Sequence, residues 1–309
     1  MEPQEAQEKC AKAVALVTGG GTPADPAAAA ALFAEVAAAG YGVGELKITG
    51  NGTEADPAGA FALYQQAAAG GNVPALFRLA QITASEGPYH DPDRAREALE
   101  KCCEAGFPPA YGALGDCYFY GRGALPSPEL AAKWYAKAAK TGDYASMYKL
   151  GCMLEGGMGL TADQETSQQM FLQAAYGGVP EAQFRVAVLA YDGKIKGGKP
   201  AAVQWYRSCA EQIPVAKFNL ATMYNNGDGV PVDKEQAFRL YSEVAAGGDA
   251  DALFQIGKMY IDGDGVAQDP AKGFEQIGKA AQAGSSEAKV LIEGLKRRQN
   301  AQLIKIDGT

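Results

Sequence analysis

The stretch Ala216-Lys-Phe-Asn-Leu220-Ala-Thr-Met-Tyr224, followed by Asn226-Gly-Asp-Gly-Val230 and then by Ala237-Phe-Arg-Leu-Tyr241, decides the fold. Counting from Ala216, Leu220 and Met223 return to the same side of a helix, and Ala221 beside them is small. In the second half Ala237 and Tyr241 share a face with the small pair Val244-Ala245. Offsets of three, four and seven are helical. Glycine between the two runs supplies the positive φ that ends a helix, and Asp233 can cap the next one. The segment reads as a helical hairpin, helix A followed by helix B.

Working outward, the same columns return along the chain. The small pair recurs as Val36-Ala37, Ala67-Ala68, Cys102-Cys103, Ala138-Ala139, Ala174-Ala175, Cys209-Ala210, Val244-Ala245 and Ala280-Ala281, at intervals of about 35 residues. Three positions before each pair stands a large apolar residue, from Phe33 and Tyr64 to Tyr241 and Ile277. Helix A is anchored at Ala75, Ala110, Ser146, Ala182, Ala216, Ala252 and Ala288. Four residues on lie Leu79, Leu114, Leu150, Val186, Leu220, Ile256 and Ile292, and the next position is small in nearly every unit. One hairpin cannot bury such a stripe, so the hairpins stack on their neighbours. The expectation is an all-α solenoid of about eight hairpins filling 1–309 as one array. Its units are about 1–40, 41–71, 72–106, 107–142, 143–178, 179–212, 213–248 and 249–284, with a C-terminal capping helix at about 285–300.

Composition narrows the function. A formal net charge of −8 argues against a partner held by phosphate neutralisation, so nucleic acid is not expected. No run approaches the roughly 20 apolar residues needed to cross a bilayer, and the start, Met1-Glu2-Pro3-Gln4-Glu5, is acidic where a secretory signal is basic. A cytoplasmic chain without membrane insertion is the expectation. The 6 cysteines, at 10, 102, 103, 117, 152 and 209, include no C-x-x-C pair. His90 is the single histidine. That scarcity leaves little for zinc sites or His-dependent triads, so no catalytic, metal or cofactor residue is assigned.

The linked columns resemble the Sel-1-like repeat, a relative of the tetratricopeptide repeat with units of about 36 residues. The resemblance implies a right-handed superhelix, with the A helices lining its concave side, and a role in binding proteins. Three features depart from the pattern. Gly42, Gly44, Gly50 and Gly52 interrupt the second helix A. The loop after Ala75 reads Ser85-Glu-Gly-Pro-Tyr-His90-Asp-Pro, and the one after Ala182 reads Gly193-Lys-Ile-Lys-Gly-Gly-Lys-Pro200. The cysteine staple of some secreted relatives is missing, because the helix after Cys102 and Cys103 begins Pro108-Pro-Ala-Tyr111.

At 100° per residue, helix A offsets three, six and ten form one outward stripe. It carries Arg78, Gln81, Asp116, Tyr120, Lys149, Arg185, Asn219, Asn226, Gln255 and Lys258. These are the candidate partner-binding residues, and a solvated polar face is the alternative reading. Arg78, Lys149 and Arg185 share one offset and suit an acidic segment or a C-terminal carboxylate. Ala113 and Leu291 in that column fit neither story well. Asp262-Gly-Asp264-Gly with Asp269 falls short of a calcium loop and reads as a turn. The expected function is a non-enzymatic scaffold or adaptor for a protein or peptide. A weak hydrolase, or an envelope-associated factor regulating cell-wall machinery, is the alternative.

Overall fold

A computed structural model describes residues 57–307, together with positions 5, 8, 9 and 12. The first expected hairpin and the glycine-interrupted second helix A lie outside the described residues. Between Pro57 and Asp307 every regular element is an α-helix: α1 (Pro57–Ala69), α2 (Val73–Ala84), α3 (Pro92–Glu104), α4 (Pro109–Tyr120), α5 (Pro128–Ala139), α6 (Tyr144–Gly156), α7 (Gln164–Tyr176), α8 (Pro180–Tyr191), α9 (Gly198–Cys209), α10 (Pro214–Asn226), α11 (Lys234–Ala246), α12 (Ala250–Asp262), α13 (Pro270–Ala283) and α14 (Ser286–Asp307). Even-numbered helices from α2 to α14 are A helices and odd-numbered ones are B helices. The chain divides into two compact units, residues 1–164 and 165–309. Within each, helices pack on their neighbours in sequence, as in an α-solenoid.

The columns read from sequence are the core. On the A helices Leu79, Leu114, Val186, Leu220 and Ile256 are buried, as are Tyr64, Leu99, Tyr135, Phe171, Tyr206, Tyr241 and Ile277 on the B helices. Leu150 is only half-buried, and Leu154 takes the buried place one turn on. The small position after each A-helix leucine is a contact point. A Cβ on Gly115 would sit 2.6 Å from the Tyr135 ring, and one on Gly257 would sit 2.7 Å from Ile277 and 2.9 Å from the Gly273 carbonyl. α14 carries Glu293 at this position, exposed and paired with Arg297 at 3.7 Å. It also runs to Asp307, beyond the expected end of the cap.

Helix starts are capped as their sequences dictate. Asp91, Ser127, Asp233 and Asp269 each accept a hydrogen bond from the third backbone N–H of the following B helix, and Asn72, Asp143 and Asp249 cap A helices. Each cap is worth about 1 kcal/mol.

The two glycines of each Gly-x-Gly loop have different jobs. The first, Gly121, Gly157, Gly227 or Gly263, is the left-handed residue that closes helix A, with φ between 64 and 76°. The second touches the preceding hairpin. A Cβ on Gly123 would lie 2.1 Å from the Pro92 carbonyl oxygen, one on Gly159 2.3 Å from the Pro128 carbonyl carbon, one on Gly229 2.4 Å from that of Lys199, and one on Gly265 2.1 Å from the Lys234 oxygen. Each loop therefore lies directly on the backbone that opens the previous helix B. In the second unit the residue between the glycines adds an ion pair across the same joint, Asp228 with Lys199 and Asp264 with Lys234. The divergent loop after α2 makes its joint differently, by stacking Tyr89 on Phe61 of α1 at 4.1 Å between ring centroids.

Candidate functional site

In the first unit the outward stripe is held by internal bonds. Arg78, half-buried, donates to Oε1 of exposed Gln81 at 2.9 Å. Asp116 on α4 accepts at Oδ1 from both Tyr135 OH and Lys149 Nζ, each at 2.6 Å. Lys149 belongs to α6, so this pair joins neighbouring A helices. Its ammonium also lies 5.4 Å from the Tyr135 ring centroid. Both side chains are about one-third exposed, so screening limits the pair to under about 1 kcal/mol. Tyr120 is 55% exposed and lies under the Arg122 guanidinium at 5.0 Å.

In the second unit Arg185 is half-buried with its guanidinium 5.9 Å from the Phe171 ring centroid, and Lys258 is exposed near Phe254. Asn219 and Gln255 are half-buried, while Asn226 is exposed and accepts from Asn225.

Some stripe residues also serve the core. Three of the large helix B tyrosines have a polar partner on the facing A helix: Asp116 for Tyr135, Asn219 for Tyr206 and Thr222 for Tyr241. Burial pushes the pKa of all three phenols up and so disfavours their ionisation, and the Asp116 carboxylate pushes Tyr135 further in the same direction. All three are neutral phenols on a buried ring; Tyr135 donates to its carboxylate, and the Tyr206 oxygen accepts from the Asn219 amide.

Potential chemistry elsewhere resolves into structure. Burial pushes the thiols of Cys102, Cys117 and Cys209 up to about 11 and that of Cys103 up to about 12. They are poor nucleophiles. Cys152 is half-buried, and Cys10 lies outside the described residues. Gly263 closes α12, Asp264 pairs with Lys234 and Asp269 caps α13, so the acidic loop is a turn. Among the described residues no group of three metal-ligating side chains is present, and no helix is long and apolar enough to cross a membrane.

The first unit also holds a feature that the stripe alone does not reveal. A pocket of about 460 Å³ opens between α2, α3 and α4. Its floor is built from Ala80, Ala95, Leu99 and Ala113, and its rim from Gln81, Ala84, Glu86, His90, Asp116 and Arg122. Exposed His90 sits 3.1 Å from the Ser85 carbonyl oxygen through Nδ1. A carbonyl only accepts, so Nδ1 carries the proton and Nε2 is left as an acceptor in the neutral ring. The sequence signal for this pocket was present in the divergent loop 85–91 and in Ala113.

Stacked helical hairpins with repeat-specific outer residues define an α-solenoid repeat protein. The Sel1 repeat family matches residues 4–41, 36–72, 108–143, 145–179, 180–212, 214–249 and 250–285, and the chain belongs to that family. Residues 73–107, the α2–α3 hairpin that walls the pocket, fall between the matches. The chain is similar to a protective antigen of uropathogenic Escherichia coli displaying an SLR fold, at 27% identity and a TM-score of 0.61, over 93% of this chain and 71% of that one. A Sel1 repeat protein from Oxalobacter formigenes shares the fold at 24% identity and a TM-score of 0.59, over 64% of this chain and 84% of that one. Chitin synthase regulatory factor 3 of Schizosaccharomyces pombe is 33% identical over 130 residues, which are 40% of this chain and 14% of that protein. Protein SHC1 of Saccharomyces cerevisiae is 27% identical over 171 residues, 51% of this chain and 33% of that protein. The chain thus spans a third or less of these two relatives. Sel1 repeats form a structural scaffold fold whose members generally bind proteins.

Proposed function

We propose that this chain is a non-catalytic adaptor that holds a segment of a partner protein along the outward stripe of its A helices, and so positions that partner or regulates an enzyme. The observation that carries the reading is the contrast between two sets of helix A residues. Positions that stack are buried and confined to a few residue types. Positions 78, 149, 185, 219 and 255 of the stripe differ from hairpin to hairpin while remaining half-buried, as a surface shaped for a ligand would. An acidic segment suits the cations of this face, Arg78, Lys149, Arg185 and Lys258, of which Lys149 is paired with Asp116 at 2.6 Å. In the superhelix of related repeats this stripe would face the concave side.

The test is photo-cross-linking in the protein's own cells, with the reactive group at Asn226 or Gln255 on A helices and at Gln204 or Glu243 on B helices. Adducts with one partner from the A positions alone are expected, and Arg185→Glu with Lys258→Glu should weaken them. Adducts from the B positions alone would overturn the reading.

The similarity to a chitin synthase regulatory factor favours one second reading, in which the partner is a membrane enzyme that builds a cell-wall polysaccharide. Synthase activity in membranes from cells lacking the protein would then fall and return on its addition.

A further inference from the structure

We propose that the pocket between α2, α3 and α4 is a receptor for an arginine side chain of the bound partner segment; this rests on the reading that A helices carry the partner. Its shape arises from one residue. In the third-offset column the side chains are Arg78, Ala113, Lys149, Arg185, Asn219 and Gln255, and only at Ala113 does a single methyl leave room above α4. The divergent loop then adds Glu86 and His90 to the wall.

The unused hydrogen-bonding groups of this wall select the occupant. Glu86 is exposed and makes no hydrogen bond or ion pair with any described residue. Both bonds to Asp116 fall on Oδ1, which leaves Oδ2 as an acceptor. His90 adds Nε2, because Nδ1 is committed to Ser85. Gln81 has its oxygen engaged by Arg78. The cation of the wall, Arg122, lies against Tyr120. An anionic guest would share the pocket with two carboxylates, and an apolar one would strip water from three acceptors without replacing its hydrogen bonds. A guest with an apolar stem and a donor-rich tip satisfies both floor and rim. Arginine fits better than lysine, since its planar fork of five N–H groups reaches separated acceptors while its methylenes cover the alanine floor.

The probe is N-acetyl-arginine N-methylamide, with its neutral citrulline counterpart and N-acetyl-aspartate as comparisons. The readout is NMR of the His90 ring, whose signals are unambiguous because the chain has 1 histidine, together with the Ala113 methyl. The arginine compound should shift both saturably, and the citrulline compound should bind at least fivefold more weakly. Glu86→Gln should weaken arginine binding at least threefold, and Ala113→Leu should abolish it with helical content unchanged. If Ala113→Leu unfolds, Ala84→Leu at an exposed position of the same wall takes its place. No saturable shift, equal shifts from citrulline or aspartate, or binding that survives a filled pocket would each overturn the proposal. If the probe fails while cross-links from A helices persist, this inference alone falls; loss of both removes the adaptor reading as well.

Discussion

Gly123→Ala and Gly106→Ala form a matched pair that isolates the joint between hairpins. The two glycines have nearly the same backbone, φ 69° and 74°. Alanine at either site meets the left-handed penalty, roughly 1–2 kcal/mol, partly offset by a stiffer unfolded chain. A Cβ at Gly106 meets nothing within 4 Å, so about 1 kcal/mol is the whole cost there. At Gly123 the same atom would lie 2.1 Å from the Pro92 carbonyl oxygen and 2.9 Å from the Asp93 nitrogen. Neither is the mobile end of a side chain, so the loop must lift by about 1 Å from α3, an overpacking cost of about 1–3 kcal/mol. Gly123→Ala should therefore be about 2 kcal/mol less stable than Gly106→Ala in urea unfolding followed by circular dichroism. Hydrogen exchange should quicken at the start of α3, 31 residues from the mutated site, and also in the loop itself. Equal destabilisation by the two substitutions, with exchange in α3 unaltered, would refute the view that this glycine exists for the joint.

Tyr135→Phe removes a hydrogen bond to a carboxylate and should cost the first unit about 1.5–3 kcal/mol in urea unfolding; a change under about 0.5 kcal/mol would mean that Asp116 is on the stripe for other reasons. The Lys199 hydrogen bond holds the Asp228 carboxyl below its usual 3.8 against an opposing effect of burial. A carboxyl lowered in the folded state stabilises above its unfolded value and loses that contribution as the pH falls through the folded one. The second unit should thus lose thermal stability below about pH 4, and Asp228→Asn should flatten that part of the profile. Under a thiol reagent at pH 8, peptide mass spectrometry should find Cys152 modified before Cys102, Cys103, Cys117 and Cys209; early labelling of Cys103 would contradict its burial.

The fold was legible because stacking restricts few positions and restricts them strongly. Alanine or glycine after the A-helix leucine, and a large residue on helix B, are two sides of one contact, as Gly115 against Tyr135 makes plain. Turn chemistry was equally direct, since Asp233 and Asp269 cap the helices their sequence announced. The stripe was legible as a face and less so as chemistry. Asp116 and Asn219 looked like outward polar residues, yet their partners are tyrosines on the facing helix. A helical wheel describes one helix at a time and cannot show a bond to the next. Lys149 is the same case, because its carboxylate lies 33 residues earlier. The pocket went unread since it needs three helices together, although Ala113 and the loop through His90 both broke the pattern.

The way the four Gly-x-Gly loops lie on the hairpin before them gives the chain a direction. Pro92 waits for Gly123, Pro128 for Gly159, Lys199 for Gly229 and Lys234 for Gly265, each about 31 residues later. During synthesis at about 5–20 residues per second, the opening turn of a helix B stays uncovered for about 2–6 s, until the next loop has been made. At these four joints maturation then runs one step behind translation, the hairpin sealed by its successor, and a ribosome that stalls there leaves exposed the joint it could not close.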